Sequence, residues 1–204
     1  VVQLAIHLGS LITAWMLART ITGSDRIACM ALLLLAIPTL LGSLYTTLTL
    51  GGYNELVLLG NLVLLFGWQV TRGEKSTRWR WIALGLAAGF GWWINGAIVT
   101  VCTIVVLLGL PQMHVKRWPD YTAAGIAFVI GATPWWIYNL RHNWAALDFL
   151  TEGFNPPPGV EAMTPIESLL ALFALGLPTL YGLRAPWRAD FDVTPGLALA
   201  GVIY

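Results

Sequence analysis

Ten of the eleven lysines and arginines of this chain fall in four short clusters, and long apolar stretches separate the clusters. The clusters are Arg19/Arg26, Arg72/Lys75/Arg78/Arg80, Lys116/Arg117 and Arg184/Arg188, and Arg141 alone stands apart. No other feature constrains the fold as much. Cationic loops stay on the cytoplasmic side while apolar helices cross the bilayer, so the clusters assign a side to each loop. Composition agrees: 57% of residues are hydrophobic and 10% charged, where a soluble domain carries about 25% charged residues. The expected fold class is all-α, a polytopic transmembrane helix bundle. With a net charge of +1 and no basic face beyond the clusters, nucleic-acid binding is excluded. Cys29 and Cys102 lie in apolar stretches and read as small buried hydrophobes, not as a disulfide or a metal pair.

Apolar stretches that fit transmembrane helices cover about 1–18, 27–46, 55–71, 81–111, 121–139 and 165–183, and another starts near Val193. The charge rule then places loops 19–26, 72–80, 112–120 and 184–192 inside, and those near 47–54 and 140–164 outside. Val1 in place of a methionine, and an end at Tyr204 inside an apolar run, predict an internal fragment of a longer membrane protein. It is a single transmembrane domain over 1–204, truncated at both ends, with no soluble domain, repeat or signal peptide in view. Residues 81–111 join two inside loops and must cross an even number of times. Two full spans need roughly 40 residues. A short helical hairpin of two half-length helices, turning near Asn95-Gly96, resolves the parity; one long tilted helix that violates the charge rule is the alternative. Gly85 and Gly89 give the first arm a small-residue face for close packing. Outside, Asn143 is expected to cap an amphipathic surface helix near 144–152, ended by Gly153 and the Pro156-Pro157-Pro158-Gly159 turn. Thr164-Pro165-Ile166-Glu167 reads as a capping box, and Pro178 should kink the span that follows.

Few polar residues face outward under this topology. Glu55, after Gly51-Gly52-Tyr53-Asn54, opens the third span. It reads either as a first-turn acid favoured by the helix dipole or as a substrate contact at a cavity mouth, with Tyr53 and Asn54 adding hydrogen bonds to sugar hydroxyls. Arg141 is the one cation expected outside, beside His142. Guanidinium grips phosphate oxygens in bidentate fashion, and it also snorkels to headgroups; both readings stand. His142 is a weak metal or acid–base candidate. His7 reads as a buried histidine and His114 as a plain inside residue. Asp148 and Glu152 fit a solvated helix face, Glu161 a loop acid and Glu167 a cap. Trp92/Trp93 and Trp135/Trp136 fit interfacial anchors that can also stack on a sugar ring. The sequence contains no phosphate-cradling glycine loop, zinc spacing or nucleophile elbow.

Three stretches together, LGGYNELVLLGNLVLL (50–65), WIALGLAAGFGWWINGAIVTV (81–101) and GATPWWIYNLRHNW (131–144), resemble the bacterial membrane glycosyltransferases of family 39. These have the GT-C fold and are related to protein O-mannosyltransferases and aminoarabinose transferases. The resemblance spans nearly the whole chain through hydrophobic, degenerate motifs. It implies an enzyme of the bacterial plasma membrane that takes a sugar from a polyprenyl-phosphate donor on the outer face and passes it to a lipid, glycan or protein. It also implies that the catalytic acid sits in an outer loop expected upstream of Val1, so no catalytic residue is assigned here. Glu55 matches an acid that family members carry where the second outer loop meets the next span. Tyr138-Asn139 matches a tyrosine–asparagine pair late in a span, and Arg141 and His142 fall where relatives place phosphate or metal contacts. No cofactor is implied with certainty, and a divalent cation is left open. A transporter fragment and a non-catalytic membrane scaffold are the competing classes; a transporter would concentrate polar groups at mid-membrane depth.

Overall fold

The computed structural model describes residues 1–37, 42–44, 51–72, 77–112, 117–152 and 163–180, and every element among them is helical. Helix α1 (Val2–Thr22) ends at Gly23, whose φ of 66° lets its N–H donate to the Arg19 carbonyl at 2.8 Å. One residue later the Ser24 hydroxyl accepts from the Ile27 N–H and starts α2 (Asp25–Ala36). Arg19 and Asp25 sit at the helix ends their charges favour and pair at 2.7 Å across this exposed turn. Helix α2 stops at Ile37, which is extended because Pro38 follows. Next come α3 (Tyr53–Arg72), α4 (Arg78–Ile94) and α5 (Ile98–Gly109), then α6 (Trp118–Gly131), α7 (Thr133–Arg141) and α8 (Ala145–Glu152). After them, α9 (Pro165–Ala171) and α10 (Leu177–Leu180) are joined by the wide turn Leu172–Gly176.

Side-chain contacts fix the direction of each helix. Gln3 meets Asn54 and Glu55, and Ser10 and Thr13 meet Asn61, so α1 and α3 run parallel. Helix α4 runs against α3: Trp79 sits edge-on to Phe66, with ring centroids 5.7 Å apart, and Ile94 lies against Gly52. The chain then turns at Asn95-Gly96-Ala97, and α5 returns beside α3, with Val101 over Gly60, Val105 over Gly67 and Gly109 at Thr71. Helix α6 runs parallel to α4, fixed by Arg78–Asp120 at 3.5 Å and Trp81 edge-on to Tyr121 at 5.1 Å. The core between these helices is Leu59, Val63, Ala87, Ala88, Ile98 and Val105.

Arg19, Arg26, Arg72, Arg78, Arg80 and Arg117 therefore collect at one end of the bundle. The chain leaves that end at Thr77 and is back at Gln112, with Asn95 at the far end. The turn lies where charge parity and length put it. The arms are unequal, however: at 17 and 12 residues, α4 and α5 measure roughly 25 and 18 Å. The first arm is longer than half a span because it takes in Arg78–Arg80, which the sequence assigns to the loop.

Outward faces are apolar, with Leu4, Leu8 and Ile12 exposed on α1 and Ile126, Val129 and Ile130 on α6. Soluble monomers rarely expose contiguous surface of this kind. Helices α1 and α3 are long and apolar enough to cross a membrane, and α6 with α7 forms a third candidate, bent by 55°. That bend corrects the single helix expected over 121–139. Pro134 cannot donate to the Ile130 carbonyl, so the ladder breaks at Ala132. The capping box at Thr164 is present: Thr164 N–H donates to Glu167 Oε2 at 2.8 Å and Glu167 N–H to Thr164 Oγ1 at 3.3 Å. Pro178 is accommodated by the wide turn just before it, where Leu177 N–H donates to the Leu172 carbonyl five residues back. Lys75, His114, Lys116, Gly153–Glu161, Arg184, Arg188 and the stretch from Val193 lie outside the described residues, as do parts of 27–46 and the loop 47–54.

Close packing of α4 on α6 rests on glycines. A Cβ added at Gly85 would collide with the Ala124 carbonyl, and one at Gly89 with the Phe128 carbonyl, both backbone atoms that cannot move aside. Gly125, by contrast, has nothing within 4 Å. Gly85→Ala or Gly89→Ala should each destabilise the purified protein by about 1–3 kcal/mol. Gly125→Ala should be neutral or stabilising by about 0.5–1 kcal/mol, from helix propensity alone. Thermal unfolding in one detergent compares all three. For chain direction, single cysteines at Thr77 and Gln112, in a background lacking Cys29 and Cys102, should label from one side of the membrane and a cysteine at Asn95 from the other. Labelling of Thr77 and Gln112 from opposite sides would refute the hairpin.

Candidate functional site

At the end opposite the arginines a groove of about 370 Å³ opens between the start of α3, the α4–α5 turn, α7 and α8. Its volume falls within the range of about 300–1,000 Å³ typical of ligand sites. Tyr53, Trp92, Trp93, Asn95, Trp135 and Ala146 line it, with Gly51, Ile94 and Gly96 as backbone floor. Gly51 and Gly52 have φ of 55° and 76°. Only glycine adopts such angles freely, and a Cβ at Gly52 would strike Ile94. The pair thus lets the chain enter α3 in contact with the end of α4. Asn95 closes the turn, accepting from Ala97 N–H at 3.0 Å and donating to the Gly51 carbonyl at 3.4 Å.

The wall is a run of edge-to-face indoles. Trp92 meets Trp135 at 5.7 Å, Trp135 meets Trp136 at 4.7 Å, and Trp144 lies 6.4 Å from Trp135 and 6.5 Å from Trp136. Edge-to-face rings at these separations add about 0.5–1.5 kcal/mol per pair beyond burial. Among the described residues the buried Trp136 indole N–H has no hydrogen-bond partner. Trp144 itself sits at φ 66° and Asn143 at φ 50°. That backbone costs little at asparagine, but about 1–3 kcal/mol at a bulky residue, a cost offset by the indole packing.

The sequence candidates divide between this groove and its flanks. Tyr53 lines the groove and is 45% exposed. Asn54 is buried, and its amide donates to the Gln3 carbonyl at 2.9 Å and to Gln3 Oε1 at 2.8 Å. Glu55 accepts from Gln3 Nε2 at 2.8 Å. Asn54 and Glu55 thus tie α1 to α3 beside the groove and do not line it. Arg141 and His142 are exposed at the end of α7. The His142 ring stacks on Tyr138 at 4.3 Å and its Nδ1 lies 2.8 Å from the Tyr138 carbonyl. Among the described residues Arg141 makes no ion pair, and neither it nor His142 lines the groove. No three His, Cys, Asp or Glu residues converge among the described residues.

Sequence reasoning passed over Gln3, the sole side-chain amide of the first span and the partner of both Asn54 and Glu55. It also assigned the cap of α8 to Asn143. The structure gives that role to Asn139, fully buried, which accepts from Ala146 N–H at 3.2 Å and donates to the Trp135 carbonyl at 2.9 Å. Asn143, in the left-handed region, is turned into the connection itself. Asn139→Ala should cost about 1–2 kcal/mol, the usual value of a lost cap, and loosen the groove wall; unchanged thermal stability would remove Asn139 from the cap. Compared with protein-family models, curated proteins and solved structures, the chain matches none.

Proposed function

We propose that this chain belongs to a multi-pass bacterial plasma-membrane glycosyltransferase of the GT-C, family 39 type. In this reading it transfers a sugar from a polyprenyl-phosphate donor to a lipid, glycan or protein acceptor on the face opposite the arginines. The observation that carries the reading is the groove itself, walled by Trp92, Trp93 and Trp135 and edged by Tyr53 and Asn95. Indole faces stack on the C–H faces of a pyranose, while a phenol and an amide hydrogen-bond its hydroxyls. Arg141 lies at the same end with its guanidinium free of any acid among the described residues, which suits a leaving phosphate. His142 and the Gln3-tethered Glu55 flank the site.

Direct displacement at the anomeric carbon requires a base to take the acceptor hydroxyl proton and a cation to neutralise the departing polyprenyl phosphate. Arg141 fits the second role. No acid lines the groove among the described residues, so the base is not assigned to this stretch of chain. A transporter needs polar groups at mid-depth that are open to a path. Among the described residues the Asn61 amide at that level donates to the Ser10 carbonyl at 3.1 Å and to Thr13 Oγ1 at 3.4 Å, bonds that join two helices. That pairing favours the enzyme reading.

The test is transfer from a labelled polyprenyl-phosphate sugar by the complete protein, at matched expression. Arg141→Ala should lower turnover about tenfold to hundredfold, as expected for loss of a charge-assisted phosphate contact of roughly 1.5–3 kcal/mol. Arg141→Lys should recover only part, because an ammonium keeps the charge but lacks the bidentate fork. Trp135→Ala should raise KM more than it lowers kcat. Wild-type kinetics for Arg141→Ala would remove that residue from the site, and no transfer from any polyprenyl donor would sink the glycosyltransferase reading.

A further inference from the structure

A second cavity, of about 110 Å³, opens at the arginine end among α3, α4, α5 and α6. Its walls include Thr71, Trp81, Leu84, Val105, Arg117 and Tyr121. The Arg117 guanidinium donates through Nη1 to the Val70 carbonyl at 3.3 Å, one of the last carbonyls of α3. A guanidinium has five N–H donors, and among the described residues Arg117 meets no carboxylate, since Asp120 is held by Arg78 and Asp25 by Arg19. Trp81 lines the cavity, and its buried indole N–H, like Nε of the neighbouring Arg80, has no hydrogen-bond partner among the described residues. Donors in excess of acceptors, at an end with six described arginines and two described acids, are the complement of an anion.

The rest of the cavity selects the kind of anion. It is smaller than the roughly 300 Å³ at which sites for whole small molecules begin. Its lining is chiefly aliphatic and aromatic, and it reaches Val106, which is exposed on α5. This shape suits one headgroup phosphate with its hydrocarbon trailing along the outside of the bundle. Basic pockets between membrane helices on the cytoplasmic side recognise anionic headgroups in this way. We infer that the cavity seats one anionic phospholipid of the arginine-side leaflet, its phosphate on Arg117 and the Trp81 N–H and its chain along Leu84 and Val106. The inference rests on the membrane reading given above and is separate from the sugar donor at the opposite end.

The test compares the protein in phosphatidylcholine nanodiscs with and without phosphatidylglycerol, reading the lipid retained in native mass spectrometry and the melting temperature. Wild type should retain phosphatidylglycerol and melt higher in its presence. Arg117→Gln should lower that retention roughly tenfold to hundredfold, the loss of a charge-assisted contact. Trp81→Phe, which removes the N–H and keeps an aromatic ring, should lower it by less. Arg26→Gln, at the same end but off the cavity wall, should leave it unchanged. Should Arg117→Gln not fold, Arg117→Lys takes its place, and wild-type retention in both Arg117→Lys and Trp81→Phe overturns the site. Equal losses in Arg117→Gln and Arg26→Gln would mean diffuse attraction in place of a site and would overturn it too. So would a melting shift of the same size from inorganic phosphate in pure phosphatidylcholine, which would assign the cavity to a free anion. Release of the protein from membranes by alkaline carbonate would sink the membrane reading, whereas a protein that stays embedded and shows no preference for phosphatidylglycerol sinks the lipid site alone.

Discussion

Backbone contact between α4 and α6 sets the positions of nearly everything else. Gly85 and Gly89 on one helix face Ala124 and Phe128 on the other, and Gly131 faces Leu86 and Phe90 in return. With no side chains between them, the two helices lie parallel and in fixed register. One end of that register joins Arg78 to Asp120 and Trp81 to Tyr121. The other end delivers Trp92 to Trp135. The aromatic groove and the basic cavity are two consequences of a single packing choice. In a membrane, where lipid tails are as apolar as leucine, such close approach is among the few forces that hold helices together.

Inter-helix amides supply the second such force. Gln3, Asn54 and Glu55 join α1 to α3 at one level, and Ser10, Thr13 and Asn61 join them near the middle. An amide left unpaired in hydrocarbon costs several kcal/mol, so these pairings specify register as well as contact. They leave Glu55 positioned beside the groove on a fixed helix start, with its carboxylate already accepting one hydrogen bond.

How much of this could be read from the residues depended on whether the signal was local or reciprocal. The turn at Asn95 followed from cationic loops on both sides of 81–111 and from a length too short for two full spans. The Thr164–Glu167 box and the role of Gly85 and Gly89 were also legible, because the chemistry lies within one turn or one face. The break at Ala132 was missed because Thr133-Pro134 sits inside an unbroken apolar run, where hydropathy has no way to show a lost hydrogen bond. Asn139 and Asn143 compete for the same helix start, and sequence proximity favoured the wrong one. The pairing of Gln3 with Asn54 was hidden for a different reason. Helices that are apolar on every face give no amphipathic stripe, so nothing in either segment names its partner.

Arg141 differs from five of the six other described arginines in its surroundings. Arg19 and Arg78 hold carboxylates, Arg72 and Arg80 lie over tryptophan rings at 5.4 and 5.7 Å, and Arg117 is anchored on the Val70 carbonyl. Those five lie at the basic end, where a cation satisfies the topology of the chain whatever else it does. Arg141 is at the other end, exposed, in the last turn of a helix whose dipole tolerates but does not require it. The charge rule disfavours a cation on that face, and among the described residues Arg141 makes no ion pair and lies over no aromatic ring. A positive charge against the topological preference, six residues along the helix from Trp135 of the aromatic groove, would suit a site for a phosphate-bearing ligand on that face. A cation in the last turn of a helix also gains from the dipole and can reach headgroups by snorkelling, and a phosphate contact would add to both.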